Sequence, residues 1–202
     1  MAGCNRHLIT NESMDLFFKE KLEEALRKNG VNATDTAQFY VWNLLLHPPE
    51  EIDRKHDKLP LATTYSHARS KGVGSWQSVA DFKLVGDVCL LVSGFWWNSL
   101  ARSLVDVDYF IDLGRSAYVN ASRANTDLSE VLEELSDYFK EMTSVLIEMS
   151  TTVDVARTSN SELFRMYKMW MHTQNRTLGR ILERVLVKQG IFPSASRGGG
   201  IN

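Results

Sequence analysis

Apolar residues recur every three or four positions along most of this chain, and this spacing constrains its fold more than any other feature. The pattern is cleanest between Leu128 and Val153. A helix of 3.6 residues per turn places such residues on one face, whereas a half-buried strand needs strict apolar-polar alternation, which does not extend over a useful length here. Only four prolines occur among 202 residues, which leaves room for long helices. The sequence therefore predicts an all-α protein.

Potential capping residues divide this pattern into about six helices. A Ser, Thr or Asp side chain just before a helix can accept hydrogen bonds from the N–H groups of its first turn. The predicted helices cover residues 13–29, 34–47, 75–92, 106–124, 127–153 and 159–190. Four of them have predicted caps, at Ser13, Ser75, Asp106 and Asp127, while the second begins near Thr34 or Asp35 and the last near Ser159. A shorter helix is predicted over residues 61–70.

These helices are long enough to form one bundle with a shared core, so we predict a single helical domain over residues 1–192. The helices over 75–92 and 106–124 are expected at its centre, since the first is apolar in nearly every direction. The last two helices, which a short polar link joins, are expected to form a C-terminal antiparallel hairpin. Residues 193–202, with three consecutive glycines, are expected to be disordered.

Charge and composition exclude some classes of function. The net charge of -2 disfavours a protein that coats nucleic acid, although the basic helix over 159–190 leaves nucleic-acid binding as an alternative. That helix is expected to complement the acidic helix before it. Two cysteines form no disulfide framework, and the N-terminus lacks the apolar region of a signal peptide. No apolar run reaches the length of about 20 residues that spans a bilayer. We therefore expect a cytoplasmic protein that does not enter a membrane.

Asp87 is the most unusual acidic residue, because apolar residues surround it in the sequence. A buried carboxylate must be paired, or its pKa rises. Lys83, one helical turn earlier, is the simplest partner. The alternative is an acid/base group or a ligand anchor inside the bundle.

A second cluster lies in the segment VDVDYFIDLGR, where Asp108 and Asp112 share a helix face and Arg115 follows one turn later. Two such carboxylates can hold Mg²⁺ through water, and the arginine can hold a phosphate. The structural interpretation is that Asp106 caps the helix and Asp108 complements its dipole. In that interpretation Asp112 and Arg115 form a solvated pair.

Other motifs give no catalytic or metal site. His56-Asp57 matches the His-Asp pair of helical metal phosphohydrolases, but it lies in a charged stretch before Pro60 rather than in an apolar helix. His172 is predicted to be an exposed surface residue. The sequence contains no Gly-rich phosphate loop, no Gly-x-Ser-x-Gly turn and no Cys-x-x-Cys pair. Trp96-Trp97, with Trp76 and Phe95, indicates core packing or else a recognition patch. No cofactor is indicated.

Two segments carry a resemblance to known sequences. VDVDYFIDLGRSAY, residues 105–118, and GDVCLLVSGFW, residues 86–96, resemble the corresponding helices of a group of uncharacterised bacterial proteins. The two segments hold 25 of the 202 residues, and the resemblance implies an all-α bacterial protein, without implying an activity. It draws attention to six residues without assigning them roles, namely Asp87, Asp106, Asp108, Tyr109, Gly114 and Tyr118.

The absence of catalytic motifs and the excess of apolar helix surface favour a non-enzymatic interaction or regulatory protein. Its partner is expected to be another protein or a second copy of the chain. The alternative is a helical bundle that binds a small molecule or a metal, with or without an enzymatic activity. The candidate ligand-binding residues for this alternative are Asp87, Asp106, Asp108, Asp112, Arg115 and Tyr118.

Overall fold

The computed structural model describes residues 11–50, 60–72, 75–98, 107–124, 126–151 and 159–188. These ranges contain nine α-helices and no β-strand, which confirms the all-α class. The helices are α1 (Asn11–Asn29), α2 (Asp35–Leu46), α3 (Leu61–Ser70), α4 (Trp76–Ser93), α5 (Val107–Ser122), α6 (Ser129–Asp137), α7 (Phe139–Ser150), α8 (Asn160–Thr173) and α9 (Arg176–Lys188). The expected cap Asp106, the pair His56-Asp57 and the tail 193–202 lie outside the described residues.

The prediction of about six helices is wrong, partly because the long helix expected over 127–153 is two helices, α6 and α7. They meet at Tyr138, whose backbone leaves the helical region with φ -96° and ψ 19°. Its N–H still donates to the Glu134 carbonyl, and its carbonyl still accepts from the Met142 N–H. Because the hydrogen-bond ladder continues, the apolar stripe passes through the joint unchanged, and its spacing carries no sign of the break.

The last predicted helix is also two helices, so the C-terminal hairpin differs from the expected one. α8 ends at Gln174, which adopts a left-handed conformation with φ 53°. Asn175 then begins α9, because its Oδ1 accepts a hydrogen bond from the Leu178 N–H at 3.0 Å. An Asn side chain in this position is a strong helix start signal.

Of the expected caps, Ser75 is confirmed, and Thr34 and Ser159, near which helices were expected to begin, are also caps. Thr34 and Ser75 accept hydrogen bonds from the N–H groups three residues later, at 3.2 and 3.1 Å. Ser159 forms a reciprocal capping box with Glu162. Two others are wrong. The residue before α6 is Leu128 rather than Asp127, and α1 begins at Asn11, so Ser13 lies within the helix.

The core is built around α4 and α5, which pack against each other. From Val85 to Ser93 every residue of α4 is buried. The face of α5 that the sequence predicts as its apolar stripe is the buried one, with Val107, Phe110, Ile111, Gly114, Ala117, Tyr118 and Ala121. Within the described ranges no helix, α4 included, is both long and apolar enough to cross a membrane.

Candidate functional site

Asp87 lies at the point where α2, α4 and α5 meet, and only 2% of its surface is exposed. Its Oδ2 accepts a hydrogen bond from Lys83 Nζ at 2.7 Å, which confirms the predicted pair. Its Oδ1 accepts two more, from the Tyr118 hydroxyl at 2.8 Å and the Tyr40 hydroxyl at 2.6 Å. The sequence analysis named Tyr118 but missed Tyr40. Three donors from three helices therefore satisfy one buried carboxylate.

The electrostatics of this cluster keep both tyrosines protonated. Burial raises the pKa of Tyr40 and of Tyr118 well above the ordinary value, and the negative Asp87 carboxylate raises it further. Lys83 is partly exposed and also lies over the Tyr40 ring, with Nζ 5.1 Å from its centroid. Because the phenols stay neutral, they act as permanent hydrogen-bond donors, and the cluster ties three helices together.

α4 and α5 pack closely against each other beside this cluster. A Cβ atom on Gly86 of α4 would lie 3.0 Å from Cγ of Tyr118 on α5 and closer still to the next ring atoms. A Cβ atom on Gly114 of α5 would lie 2.6 Å from Cβ of Cys89 on α4. Each helix thus supplies one glycine that lets the other approach. Close helix packing accounts for these two glycines.

The second predicted cluster does not converge on one site. Asp108, Asp112 and Arg115 are all exposed, as the helical spacing predicts. Asp112 and Arg115 form no ion pair, so the expected solvated pair is wrong. Asp108 Oδ1 instead lies 2.8 Å from Nδ1 of His172 on α8, so His172 is half-buried rather than simply exposed. In the part of the chain that the structure describes, no three His, Cys, Asp or Glu side chains are grouped to hold a metal.

The tryptophans divide between the core and the surface. Trp97 is buried, and Phe95 and Trp96 pack partly buried against the core. Core packing, the first of the two expectations, is therefore confirmed for this segment. Trp76, in contrast, is 81% exposed at the first position of α4.

Two acidic residues, Glu134 of α6 and Glu148 of α7, pair with the N-terminal helices rather than with the basic helices that follow them. Glu134 accepts hydrogen bonds from the backbone N–H and the hydroxyl of Thr34, which begins α2. Glu148 pairs with Lys28 of α1 at 3.2 Å. These contacts attach α1 and α2 to the bundle, whereas we expected the two C-terminal helices to complement each other.

An apolar groove of about 560 Å³ lies between α1 and α2. Leu22, Phe39 and Trp42 are its apolar lining residues. Its polar and charged lining residues, which we refer to as the rim, are Lys19, Glu23, Asp35 and Gln38. The rings of Phe39 and Trp42 lie 5.3 Å apart, and Trp42 Nε1 is held by the Asp15 carbonyl at 3.0 Å.

Phe39 distinguishes this groove from a packing defect, because 61% of its surface is exposed. The charged rim residues Lys19, Glu23 and Asp35 form no ion pair with one another or with any other described residue. An apolar centre inside a charged rim is the usual composition of a protein-binding surface.

The fold and the groove together define an all-α bundle with an accessible apolar surface. Comparisons with protein-family models, with curated proteins and with solved structures found no match to this chain. The geometry of the described residues therefore carries the functional argument.

Proposed function

We propose that this chain is a non-enzymatic interaction protein that binds an amphipathic helix of a partner protein in the groove between α1 and α2. The exposure of Phe39 beside the fixed Trp42 ring carries this proposal. Aromatic side chains in a shallow apolar pocket supply most of the binding energy at protein interfaces. A partner helix that places apolar residues at positions i, i+3, i+4 and i+7 would cover such a groove.

The charges of the rim favour a partner helix of opposite charge. Glu23 and Asp35 outnumber Lys19, so the rim has an acidic excess. A partner helix with basic residues beside its apolar face would pair with these carboxylates, whereas an acidic helix would be repelled. The occupant that we propose is therefore an apolar helix with basic flanks.

Labelled model peptides test this proposal by fluorescence anisotropy. One peptide carries Leu and Phe at helical spacing with Lys on the flanks, and its control carries Glu in place of Lys. We expect the Lys peptide to bind more tightly, and the Phe39→Ala variant to weaken it by about tenfold or more, as expected for an interface anchor. Phe164→Ala is the matched control, since Phe164 is 60% exposed on α8, away from the groove.

Two results would contradict the proposal. If the Glu peptide binds as tightly as the Lys peptide, the rim does not select the partner. If Phe39→Ala and Phe164→Ala weaken binding equally, the peptide recognises exposed aromatic groups in general and the groove has no special role.

A second candidate occupant, a second copy of this chain, is favoured by one face of α8. Phe164, Tyr167 and Met171 are exposed there at helical spacing. In an antiparallel pair, Phe164 can face Met171 of the second copy, and Tyr167 can face Lys168 of the second copy. These are favourable aromatic-sulfur and aromatic-cation contacts, so the face is self-complementary.

This face is small for a stable dimer. Its three side chains expose roughly 300 Å² together, against about 800 Å² per partner in a standard interface. We therefore expect a weak dimer that sedimentation equilibrium detects only at high protein concentration. Met171→Lys should abolish it and Phe39→Ala should not. A dimer that survives Met171→Lys, or a chain that stays monomeric throughout, would refute the α8 interface.

The ligand-binding alternative has less support from the geometry. Three donors of the chain itself already occupy the oxygens of Asp87, and Tyr118 is one of them. We propose that both residues are structural. A ligand role for Asp108, Asp112 and Arg115 stays a prediction.

A further inference from the structure

A second cavity, of about 330 Å³, lies at the junction between α8 and α9. The end of α1, the first half of α7 and the α8–α9 junction line it. It is separate from the α1–α2 groove, and the inference drawn from it does not depend on the proposed function.

The Asn175 side chain connects the three helices α1, α7 and α9 beside this cavity. It is 2% exposed, and its Nδ2 donates to the Ser144 carbonyl of α7 at 3.0 Å. The same Nδ2 lies 3.5 Å from Oδ1 of Asn29, at the end of α1. Its Oδ1 caps α9 through the Leu178 N–H. The start of α9 is therefore held rigidly against α7 and opens on the cavity.

Ser144 offers a hydroxyl that no other group of the described chain uses. Ser144 lines the cavity and is only 7% exposed, yet its hydroxyl has no hydrogen-bond partner in the part of the chain that the structure describes. The neighbouring Thr143 hydroxyl, in contrast, donates to the Phe139 carbonyl at 2.9 Å. A buried hydroxyl without a partner is unfavourable, so a group inside the cavity is expected to satisfy it.

The other polar groups of the cavity favour an anion. Its lining includes the basic side chains of Lys140 and Arg176 and one acidic side chain, Glu141. Neither basic side chain forms an ion pair with a described residue. The N–H group of Arg176, at the start of α9, has no acceptor among the described residues, and the helix dipole adds positive potential there.

We propose that this cavity binds a phosphate group, either inorganic phosphate or that of a small phosphomonoester. Lys140, Arg176 and Ser144 line it, and it lies beside the N-terminal end of α9. The three terminal oxygens of a phosphate can accept from all of these donors, whereas a carboxylate has fewer acceptor positions. Arg176 offers a two-pronged contact and Lys140 a point charge.

Calorimetric titration at constant ionic strength tests this site with inorganic phosphate, phosphoethanolamine and, as a carboxylate probe, succinate. We expect both phosphate compounds to bind and succinate to bind more weakly. Arg176→Gln should weaken phosphate binding by about tenfold or more, because a charge-assisted bidentate contact is lost. Arg180→Gln is the matched control, since Arg180 lies one turn further along α9, is exposed and does not line the cavity.

Ser144→Ala provides an independent readout. Because no described group of the protein forms a hydrogen bond with this hydroxyl, its removal should leave the melting temperature unchanged or higher, while phosphate binding weakens. A lower melting temperature without loss of binding would overturn the role of Ser144. No binding by either phosphate compound, tighter binding of succinate, or equal losses in Arg176→Gln and Arg180→Gln would overturn the site itself.

Discussion

Replacing Asp87 by alanine tests whether its cluster holds the fold together. The substitution leaves the hydroxyls of Tyr40 and Tyr118 without an acceptor, at about 1–3 kcal/mol for each buried hydroxyl. The cost for the Tyr118 hydroxyl is expected at the upper end of this range, because Tyr118 is fully buried. Lys83 adds less than about 1 kcal/mol, since its side chain is 36% exposed and solvent screens the pair. We expect the free energy of unfolding to fall by about 3–5 kcal/mol, as when one partner of a buried ion pair is removed.

Urea denaturation followed by circular dichroism measures this loss. In thermal unfolding it corresponds to a decrease in Tm of roughly 10 °C for a chain of this size. Asp112→Ala removes an exposed carboxylate of α5 that has no ion-pair partner, so it should change stability by less than about 0.5 kcal/mol. This variant controls for the loss of an acidic residue as such.

Coupling to the tyrosines separates the proposed cause from a general loss of packing. In a chain that already carries Tyr40→Phe and Tyr118→Phe, Asp87→Ala no longer leaves unsatisfied hydroxyls, so its cost should fall by about half or more. A loss below about 1 kcal/mol in the wild-type background, or an equal loss in both backgrounds, would refute the reasoning. A variant that keeps its stability but loses a ligand response would support the ligand-binding alternative.

Three further predictions concern local features of the fold. Above pH 10 the unfolded chain ionises Tyr40 and Tyr118, whereas their raised pKa keeps them protonated in the folded state. The free energy of unfolding therefore keeps its full value below pH 10 and falls as the pH rises, by about 2.7 kcal/mol per pH unit from these two residues. Urea denaturation at several pH values should show a smaller fall per pH unit for Tyr40→Phe. Gly114→Ala should lower the free energy of unfolding by about 1–3 kcal/mol, because its methyl group would overlap the Phe139 ring; an unchanged value would show that the ring moves aside. Ser159→Ala should cost about 1 kcal/mol through loss of the α8 cap, and no change in calorimetry would contradict the capping box.

Features that depend on neighbouring residues in the sequence could be predicted. The buried face of α5 follows from its spacing alone, and the Thr34 and Ser75 caps follow from one residue type before each helix. The pair of Lys83 with Asp87 also lies within one helical turn. In each case the partners share a helix, so their geometry is set by the helix repeat.

Features that depend on the packing of distant helices could not be predicted. Tyr40 lies 47 positions from Asp87 in the sequence, and no local pattern brings them together. The pair of Asp108 with His172 joins α5 to α8 in the same way. The break at Gln174 has a local cause, since Asn175 is a good cap, but the apolar spacing on both sides concealed it.

The hydrogen bond from Tyr40 to Asp87 also explains why Phe39 is exposed. Successive helix residues are rotated by about 100°, so Phe39 lies nearly opposite Ala37 and Val41, which are fully buried on the core side of α2. As long as Tyr40 is held on Asp87, α2 cannot rotate to bury Phe39, although most of its circumference is apolar. The hydrogen bonds of Asp87 and the exposure of Phe39 in the α1–α2 groove are therefore coupled. Asp87→Ala should weaken binding of the Lys peptide as well as stability, although Asp87 does not line the groove. Unchanged peptide affinity in a destabilised Asp87→Ala variant would show that the packing of Ala37 and Val41 alone sets the rotation of α2.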